Sequence, residues 1–195
     1  MRIVNRFGVV ANVANPSSTS TRNYWLRAGN GGIVIPTPQT LNGTWNIKFL
    51  AKIIDYTGTS AARPLQKNDL SSYLFVYDSS HSSLANAVVV KTSTVSVTWA
   101  NAWPSDRSSL YDLELDVVSD VGTLIVDGVT YSSKALGGDF IIENAASRTQ
   151  NNSIMANIDI NAVQNFPVNE GTGTSAIDSL GGDPGTLSGG SWIEE

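Results

Sequence analysis

Apolar and polar residues alternate along several stretches of the chain, and the clearest stretch covers residues 111–117. The odd positions there are apolar or aromatic, and the even positions are acidic, namely Asp112, Glu114 and Asp116. Successive side chains of a β-strand point to opposite faces of its sheet. The pattern therefore predicts a strand with one face in a core and the other in water.

Turn signals follow this strand directly. Residues 119–122 are predicted to turn the chain, so that residues 123–126 return beside the first strand. Asp127-Gly128 then favours a tight primed turn, because this pair supplies positive φ at little steric cost. Together these segments are predicted to form an antiparallel meander.

Shorter runs predict the other strands. The longest is 44–55, and Trp45 and Phe49 lie on its apolar face, which places them in the predicted core. Further strands are predicted at 24–26, 33–35, 73–77, 87–91, 94–100, 139–143, 154–160 and 162–168, with 1–13 forming a strand pair or an arm. No segment shows sustained helical periodicity, so we expect almost no helix.

Breaker residues set the expected limits of these strands. Pro36 and Pro38 are expected to end the strand at 33–35. Residues 58–69 are expected to form a loop, and residues 145–153 are polar and expected to be irregular.

The length of 195 residues fits one sizeable all-β domain, and the absence of cysteine excludes disulfides and thiolate metal sites. We predict an antiparallel β-sandwich of jelly-roll type over residues 1–168. Residues 169–195 are predicted to form a glycine-rich C-terminal hairpin or tail. Because Trp192 and Ile193 are apolar, this tail is expected to dock on the sandwich or on a neighbouring molecule.

Three short motifs resemble those of one group of β-sandwich domains. Residues 124–129 read Leu-Ile-Val-Asp-Gly-Val and are similar to a hairpin of laminin-G-like and concanavalin-A-like domains, and residues 32–53 are similar to their paired opening strands. The third motif combines Glu-Gly-Thr-Gly at 170–173, Asp-Ser-Leu-Gly at 178–181, Gly-Thr-Leu at 185–187 and Trp192. It resembles a signature of such domains in bacterial surface proteins and bacteriophage virion proteins, where it more often precedes the sheet. The resemblance implies a concanavalin-A-like jelly roll, and calcium is a cofactor that such relatives often carry at the sandwich rim.

Charge is sparse and unevenly spread. Charged residues make up 15% of the chain, and the net charge is −5. Residues 1–70 carry eight basic and two acidic residues, whereas residues 71–195 carry four basic and fifteen acidic ones. The two halves either neutralise each other on opposing strands or form a complementary contact between subunits of a homo-oligomer, for which a trimer is one option. Scattered basic residues in an acidic chain argue against nucleic acid as a partner, and no apolar run is long enough for membrane insertion.

The loop after the strand at 94–100 holds the candidate binding residues. Trp99, Asn101, Trp103 and Asp106 combine aromatic rings with an amide and a carboxylate. An aromatic ring can stack on a sugar while polar groups bind its hydroxyls, so these residues are predicted to bind carbohydrate. The alternative is that both tryptophans pack in the core or at the sandwich edge.

The acidic strand also suggests a catalytic role. Glu114 and Asp116 share a strand face, as the nucleophile and its partner do in some concanavalin-A-like glycoside hydrolases. Those enzymes carry a third acid, where this chain has Val118 and Ser119. We therefore predict no catalytic residues and interpret the acidic face as solvated. His81, the one histidine, is predicted to be a surface loop residue.

These observations favour a non-enzymatic virion protein. The N-terminus lacks the pattern of a signal peptide, which favours release by host lysis. We expect a phage decoration, spike or fibre-tip domain that binds a surface glycan or other virion proteins. The alternatives are a polysaccharide-cleaving glycoside hydrolase that uses Glu114 and Asp116, and a secreted bacterial adhesin module.

Overall fold

A computed structural model describes residues 24–27, 32–53, 62–77, 79–106, 108–147, 153–168, 170–189 and 191–194. Within these ranges all regular secondary structure is β. These ranges contain no helix long and apolar enough to cross a membrane. The predicted strand pair or arm at 1–13 lies outside the described residues. The strands are β1 (Tyr24–Arg27), β2 (Gly32–Leu41), β3 (Trp45–Ile53), β4 (Ala62–Gln66), β5 (Tyr73–Val76), β6 (Val88–Lys91), β7 (Ser96–Trp99), β8 (Tyr111–Val118), β9 (Val121–Val126), β10 (Val129–Thr130), β11 (Lys134–Ala135), β12 (Phe140–Ser147), β13 (Ser153–Ile160), β14 (Gln164–Phe166), β15 (Ser175–Ala176), β16 (Gly185–Ser188) and β17 (Ser191–Glu194).

The strands form two antiparallel sheets. In sheet I the order is β10-β9-β8-β3-β13-β1-β17, with β11 beside β9 and β14 beside β13. In sheet II the order is β15-β16-β2-β12-β4-β5-β6-β7. The predicted all-β sandwich of jelly-roll type is thus confirmed.

The core fills the space between the sheets. The alternate residues Trp45, Ile47, Phe49 and Ala51 of β3 are buried, as are Leu113, Leu115 and Val117 of β8. Trp45 stacks on Phe140 of sheet II, with ring centroids 5.3 Å apart and the rings 13° from parallel. The predicted core positions of Trp45 and Phe49 are confirmed, and Phe49 is 1% exposed.

The predicted meander is confirmed, with one turn tighter than expected. Ser119 and Asp120 both have positive φ, 50° and 61°, and alone connect β8 to β9. Val121, predicted to lie in the turn, pairs instead with Val118. Asp127 and Gly128 have φ of 49° and 76°, as a primed turn requires.

Two positions that were predicted to end or separate strands lie within strands instead, and both predictions were wrong. At each position the pairing between strands is irregular. β2 continues through Pro36 and Pro38 as far as Leu41. Its register with β12 shifts between the pairs Ile142–Gln39 and Asn144–Val34, so the prolines lie where the regular ladder is broken. The predicted loop at 58–69 contains β4, whose register with β5 also shifts, around Pro64.

β12 also exceeds its predicted range of 139–143 and extends to Ser147. Asn144, just beyond the predicted strand, and Ala145, in the segment expected to be irregular, are buried between β2 and β4. Pairing on both sides, with β2 and with β4, holds this part of the chain as a strand.

The glycine-rich tail contributes strands to both sheets. β16 pairs with β2 in sheet II, and β17 pairs with β1 in sheet I. The backbone of Gly185 lies against Ile33, where an added Cβ would stand 2.3 Å from the Ile33 side chain. The indole Nε1 of Trp192 donates a hydrogen bond to the carbonyl oxygen of Gly173, at 3.0 Å. These contacts fasten the tail at one edge of each sheet.

Candidate functional site

The two tryptophans predicted to stack on sugar lie in the core. Trp99 is 2% exposed, and its Nε1 donates to the carbonyl oxygen of Ser132 at 2.8 Å. Trp103 is 3% exposed, and its ring meets that of Tyr111 edge-on, with centroids 5.7 Å apart. Neither indole offers a face to a ligand, so the structure has the core packing that was the alternative. A stacking role is corrected to a structural one, because these large apolar rings fill space between the sheets.

The two polar residues of the same loop are at the surface. Asn101 is exposed with φ of 54°. Asp106 is exposed and accepts hydrogen bonds from the backbone N–H and hydroxyl of Ser108 and from the Tyr111 hydroxyl. The bonds from Ser108 are the largest influence that lowers the pKa of Asp106. This carboxylate therefore orders the loop.

A second polar surface covers the outer face of sheet I, the face that points away from the core. Pairing aligns Ile125, Glu114, Lys48, Asp159 and Asn165 in one row across β9, β8, β3, β13 and β14. A neighbouring row holds Thr123, Asp116 and Asn46, and another holds Asp112 beside Leu50. In these rows β8, β3, β13 and β14 therefore present carboxylates, amides and the Lys48 ammonium group on a rigid surface.

An open depression of about 280 Å³ lies within this face. Its volume is near the small end of ligand sites, which span ~300–1,000 Å³. The residues that line it are Lys48, Phe49, Leu50, Asp112, Asn157, Asp159 and Asn165. Because Phe49 is buried, the depression has no exposed aromatic ring, and the side chains it offers a ligand are polar apart from Leu50.

A β-bulge shapes one wall of the depression. The register of β13 with β3 shifts between Ala156 and Asp159, and Asn157 has φ of 49°. Asparagine tolerates this left-handed conformation better than most residues. The Asn157 backbone N–H donates to the carbonyl oxygen of Pro167 at 3.2 Å, which holds the bulge against the chain after β14. Bulges of this kind redirect side chains at a sheet surface.

Lys48 and Glu114 form an ion pair beside the depression. The Lys48 Nζ lies 3.0 Å from Glu114 Oε1, and the Asn46 amide donates to the same oxygen at 2.9 Å. Burial favours the neutral form of Glu114 and is the largest single influence, but the bonds from Lys48 and Asn46 outweigh it and lower the pKa of Glu114. The pKa of Lys48 is raised, mainly by its hydrogen bond to Glu114 and further by the negative charges of Glu114, Asp112 and Asp159. Both groups are therefore charged at neutral pH.

The Asp-Ser turn of the third motif holds Asn165 in place. The buried Asp178 accepts hydrogen bonds at Oδ1 from the backbone N–H groups of Asn165 and Leu180, both at 3.0 Å. The Ser179 hydroxyl donates to Asn165 Oδ1 at 2.8 Å, and the Ser179 N–H donates to the Asn165 carbonyl oxygen. Glu170 Oε1 accepts a bond from the N–H of Ile177. In this chain the motif therefore builds a turn that positions one wall of the depression.

The residues weighed for catalysis lie in two separate places. Glu114 and Asp116 share the outer face of sheet I and are bridged by the Asn46 amide, which is 3.5 Å from Asp116 Oδ1. Since the pKa of Glu114 is lowered, this residue is a poor general acid. His81 accepts hydrogen bonds at Nδ1 from the backbone N–H groups of Ser83 and Leu84, so it organises a turn.

In the part of the chain that the structure describes, no three Asp, Glu or His side chains converge as a metal site would require. We therefore assign no ligands to calcium.

Sequence reasoning missed Asn157, Asp159 and Asn165 as site residues. The strands at 154–160 and 162–168 were predicted, and β13 and β14 fall within or next to them. The alternation marks Asp159 as outward-facing, but the bulge in β13 and its neighbour Lys48 depend on pairing with β3, which is distant in sequence. No local pattern shows which outward residues share a depression.

Comparisons with known proteins identify the fold but no family. No model of a protein family matches the sequence, and no curated protein sequence does. Among solved structures, a proposed carbohydrate binding protein from Bacteroides ovatus is similar, with a TM-score of 0.59 and 12% identity over 89% of this chain and 60% of that one. This chain thus spans 60% of the length of that protein.

Weaker likenesses extend to the same group of folds. The carbohydrate binding module CBM66 from Bacillus subtilis gives a TM-score of 0.39 at 9% identity, over 90% of this chain and 93% of that one. A Bacillus licheniformis β-glucanase gives 0.35 at 12% identity, over 84% and 75%. The structural neighbours have concanavalin-A-like jelly-roll folds. The likeness to the Bacteroides ovatus protein, at 12% identity, bears on the fold of this chain alone.

Proposed function

We propose that this protein is a non-enzymatic glycan-binding domain and that the depression on the outer face of sheet I is its binding site. The observation that carries the proposal is the convergence of Asp112, Asn157, Asp159 and Asn165 around one open depression. Carboxylates accept and amides both donate and accept hydrogen bonds, which are the bonds that sugar hydroxyls make. Rigid strands hold the four groups, so little ordering is needed when a ligand binds.

The absence of an exposed ring in the depression sets the expected affinity. Without stacking, the contacts are polar hydrogen bonds that replace bonds to water, each with a net contribution of about 1 kcal/mol. We therefore expect single-site dissociation constants near ~1 mM, equivalent to about −4 kcal/mol. Several copies acting together on one surface would raise the effective affinity by avidity.

We also propose that the domain belongs to a phage virion, as a decoration, spike or fibre-tip component that forms a homo-oligomer. The tail motif and the charge-poor composition support this context. A mass by light scattering above that of a 20.7 kDa monomer is expected at micromolar concentration and low salt. Peptides of the chain are expected in purified phage particles. A monomeric mass would contradict the homo-oligomer, and phage particles without this chain would contradict the virion role.

The glycan-binding test compares two asparagines of matched conformation. Asn157 lies in the depression, and Asn101 lies in the loop after β7 that contains Trp103, called the tryptophan loop below. Both are exposed, with φ of 49° and 54°. Glycine accepts this backbone conformation, so Asn157→Gly and Asn101→Gly each remove a side chain without introducing strain. The wild type and both variants would be screened on a glycan array with calcium and with chelator.

The expected result is binding that Asn157→Gly weakens and Asn101→Gly leaves unchanged. The reverse order would move the site to the tryptophan loop. Wild-type protein that binds no glycan under either condition would refute the proposed function and would favour a structural role with virion proteins as partners.

The alternative function is polysaccharide cleavage, favoured by the shared strand face of Glu114 and Asp116. Glu114→Gln is nearly isosteric and removes the charge that a nucleophile needs. Glycanase activity that is measurable in the wild type and lost in this variant would establish the enzyme. We expect no activity in either protein.

A further inference from the structure

We infer that the depression selects sugars by charge: it accepts neutral sugars, prefers amino sugars that carry a free ammonium group, and excludes uronates and other anionic sugars. The inference rests on the proposed glycan-binding function and names the class of ligand. It is carried by the arrangement of charged side chains around the depression.

Around the depression, the described acidic side chains outnumber the basic ones. Asp112 and Asp159 line the depression, and Glu114 and Asp116 stand next to it on β8. The basic residues that face the same way on β3 are Lys48 and Lys52, which alternate with the buried Ala51. Among the side chains that the structure describes near the depression, four carboxylates thus stand beside two ammonium groups.

The basic group in the depression is already engaged. The Lys48 Nζ lies 3.0 Å from Glu114 Oε1, and Asp159 lies directly opposite Lys48 in the pairing of β13 with β3. An incoming anion would have to compete with these carboxylates for the ammonium group. Lys48 is therefore unavailable as the anchor of an anionic sugar.

Asp112, in contrast, is available to a ligand. Its side chain is exposed, and no side chain or backbone group among the described residues forms a hydrogen bond or ion pair with its carboxylate. Asp159 accepts a bond at Oδ1 from the N–H of Ala162, and its Oδ2 lies 3.5 Å from the Asn165 amide. Asp159 is held in place and adds a second negative charge to the wall.

A cation in the depression would thus lie between one free and one fixed carboxylate. Ammonium groups form charge-assisted hydrogen bonds with carboxylates that are about twice as strong as neutral ones. For a site open to water we expect a preference of about fivefold to tenfold at low salt, which salt screening would reduce.

The test uses four oligosaccharide probes of equal length, built from glucosamine, N-acetylglucosamine, glucose and glucuronate. Affinities would be measured by calorimetry at low and high salt. The variants are Asp112→Asn, which removes the free charge with little change in shape, and the control Asp183→Asn at an exposed tail position that does not line the depression.

We expect the glucosamine probe to bind about fivefold to tenfold more tightly than the neutral probes at low salt, and the glucuronate probe not to bind. Asp112→Asn should reduce the preference for glucosamine over the neutral probes, whereas Asp183→Asn should leave it unchanged. Equal binding of the glucosamine and neutral probes, binding of glucuronate, or a preference unchanged in Asp112→Asn would overturn the inference while leaving the proposed function intact. If no probe binds and the glycan array also shows no binding, the inferred charge selection and the proposed glycan-binding function are both refuted.

Discussion

The burial of Trp103 gives a direct test of whether the tryptophan loop is structural. A fully buried tryptophan removes up to about 250 Å² from water, which at ~25 cal/mol per Å² is an upper bound of about 6 kcal/mol. Substitution of buried Trp by Ala usually costs about 3–5 kcal/mol. Because Trp103 is 3% exposed and packs edge-on against Tyr111, we expect Trp103→Ala to cost about 4 kcal/mol of unfolding free energy.

Urea denaturation would measure this loss. With a slope of ~2 kcal/mol per M, a loss of about 4 kcal/mol lowers the midpoint by about 2 M. Fluorescence remains usable because four of the five tryptophans are retained. Thr98→Ala on β7, at an exposed position, is the control and should change stability by about 0.5 kcal/mol or less.

The binding measurement completes this test. Protein that is still folded should bind glycan as the wild type does, since Trp103 does not line the depression. If Trp103→Ala abolishes glycan binding and shifts the midpoint no more than Thr98→Ala does, the ring is a ligand platform and the packing argument is refuted. Trp103→Phe keeps most of the apolar volume and provides a folded variant if the alanine form does not fold.

Three further predictions concern the tail and the ion pair. Gly185→Ala should cost about 1–3 kcal/mol by overpacking, whereas Gly137→Ala, where a methyl group meets no atom closer than 3.7 Å, should be nearly neutral in thermal melts. Asp178→Ala leaves two backbone N–H groups without their acceptor and should cost about 2 kcal/mol, or about 6 °C in melting temperature; an unchanged melt would mean that the turn does not depend on this carboxylate. The pKa of Glu114 is lowered from its ordinary value of 4.5, so its stabilising contribution is present above that pH and is lost as pH falls through the lower folded pKa. Denaturation of the wild type and Glu114→Gln between pH 7 and pH 3 should therefore show a smaller acid loss in the variant, and parallel curves would contradict the assignment.

Residues 111–128 show how far local pattern determines this fold. Alternation identified β8, and Asp127-Gly128 identified the turn after β9, because both depend on neighbouring residues alone. β4 was missed because Pro64 and its polar surroundings resemble a loop. Its strand form is imposed by pairing with the next strand, β5, on one side and with β12, which is distant in sequence, on the other.

The site was harder to predict than the fold for the same reason. Trp99 and Trp103 carry residue types suited to sugar binding, but burial depends on which strands cover them. Asn157, Asp159 and Asn165 come together only after a bulge forms and β13 pairs with both β3 and β14. Composition and alternation contain no signal for such an arrangement, since they do not specify register between distant strands.

The pairing of the tail with early strands has a consequence for biosynthesis. Leu187 pairs with Ile33, and Trp192 pairs with Leu26, so each contact joins residues more than 150 positions apart. Contacts of such separation slow folding, because the long loop must close before the contact forms. During translation the edges of β1 and β2 that pair with β17 and β16 stay open until these later strands have left the ribosome. Until then these strand edges are open to pairing with other nascent chains. The order of synthesis therefore gives this domain a risk of aggregation at two strand edges that are covered once the tail has paired.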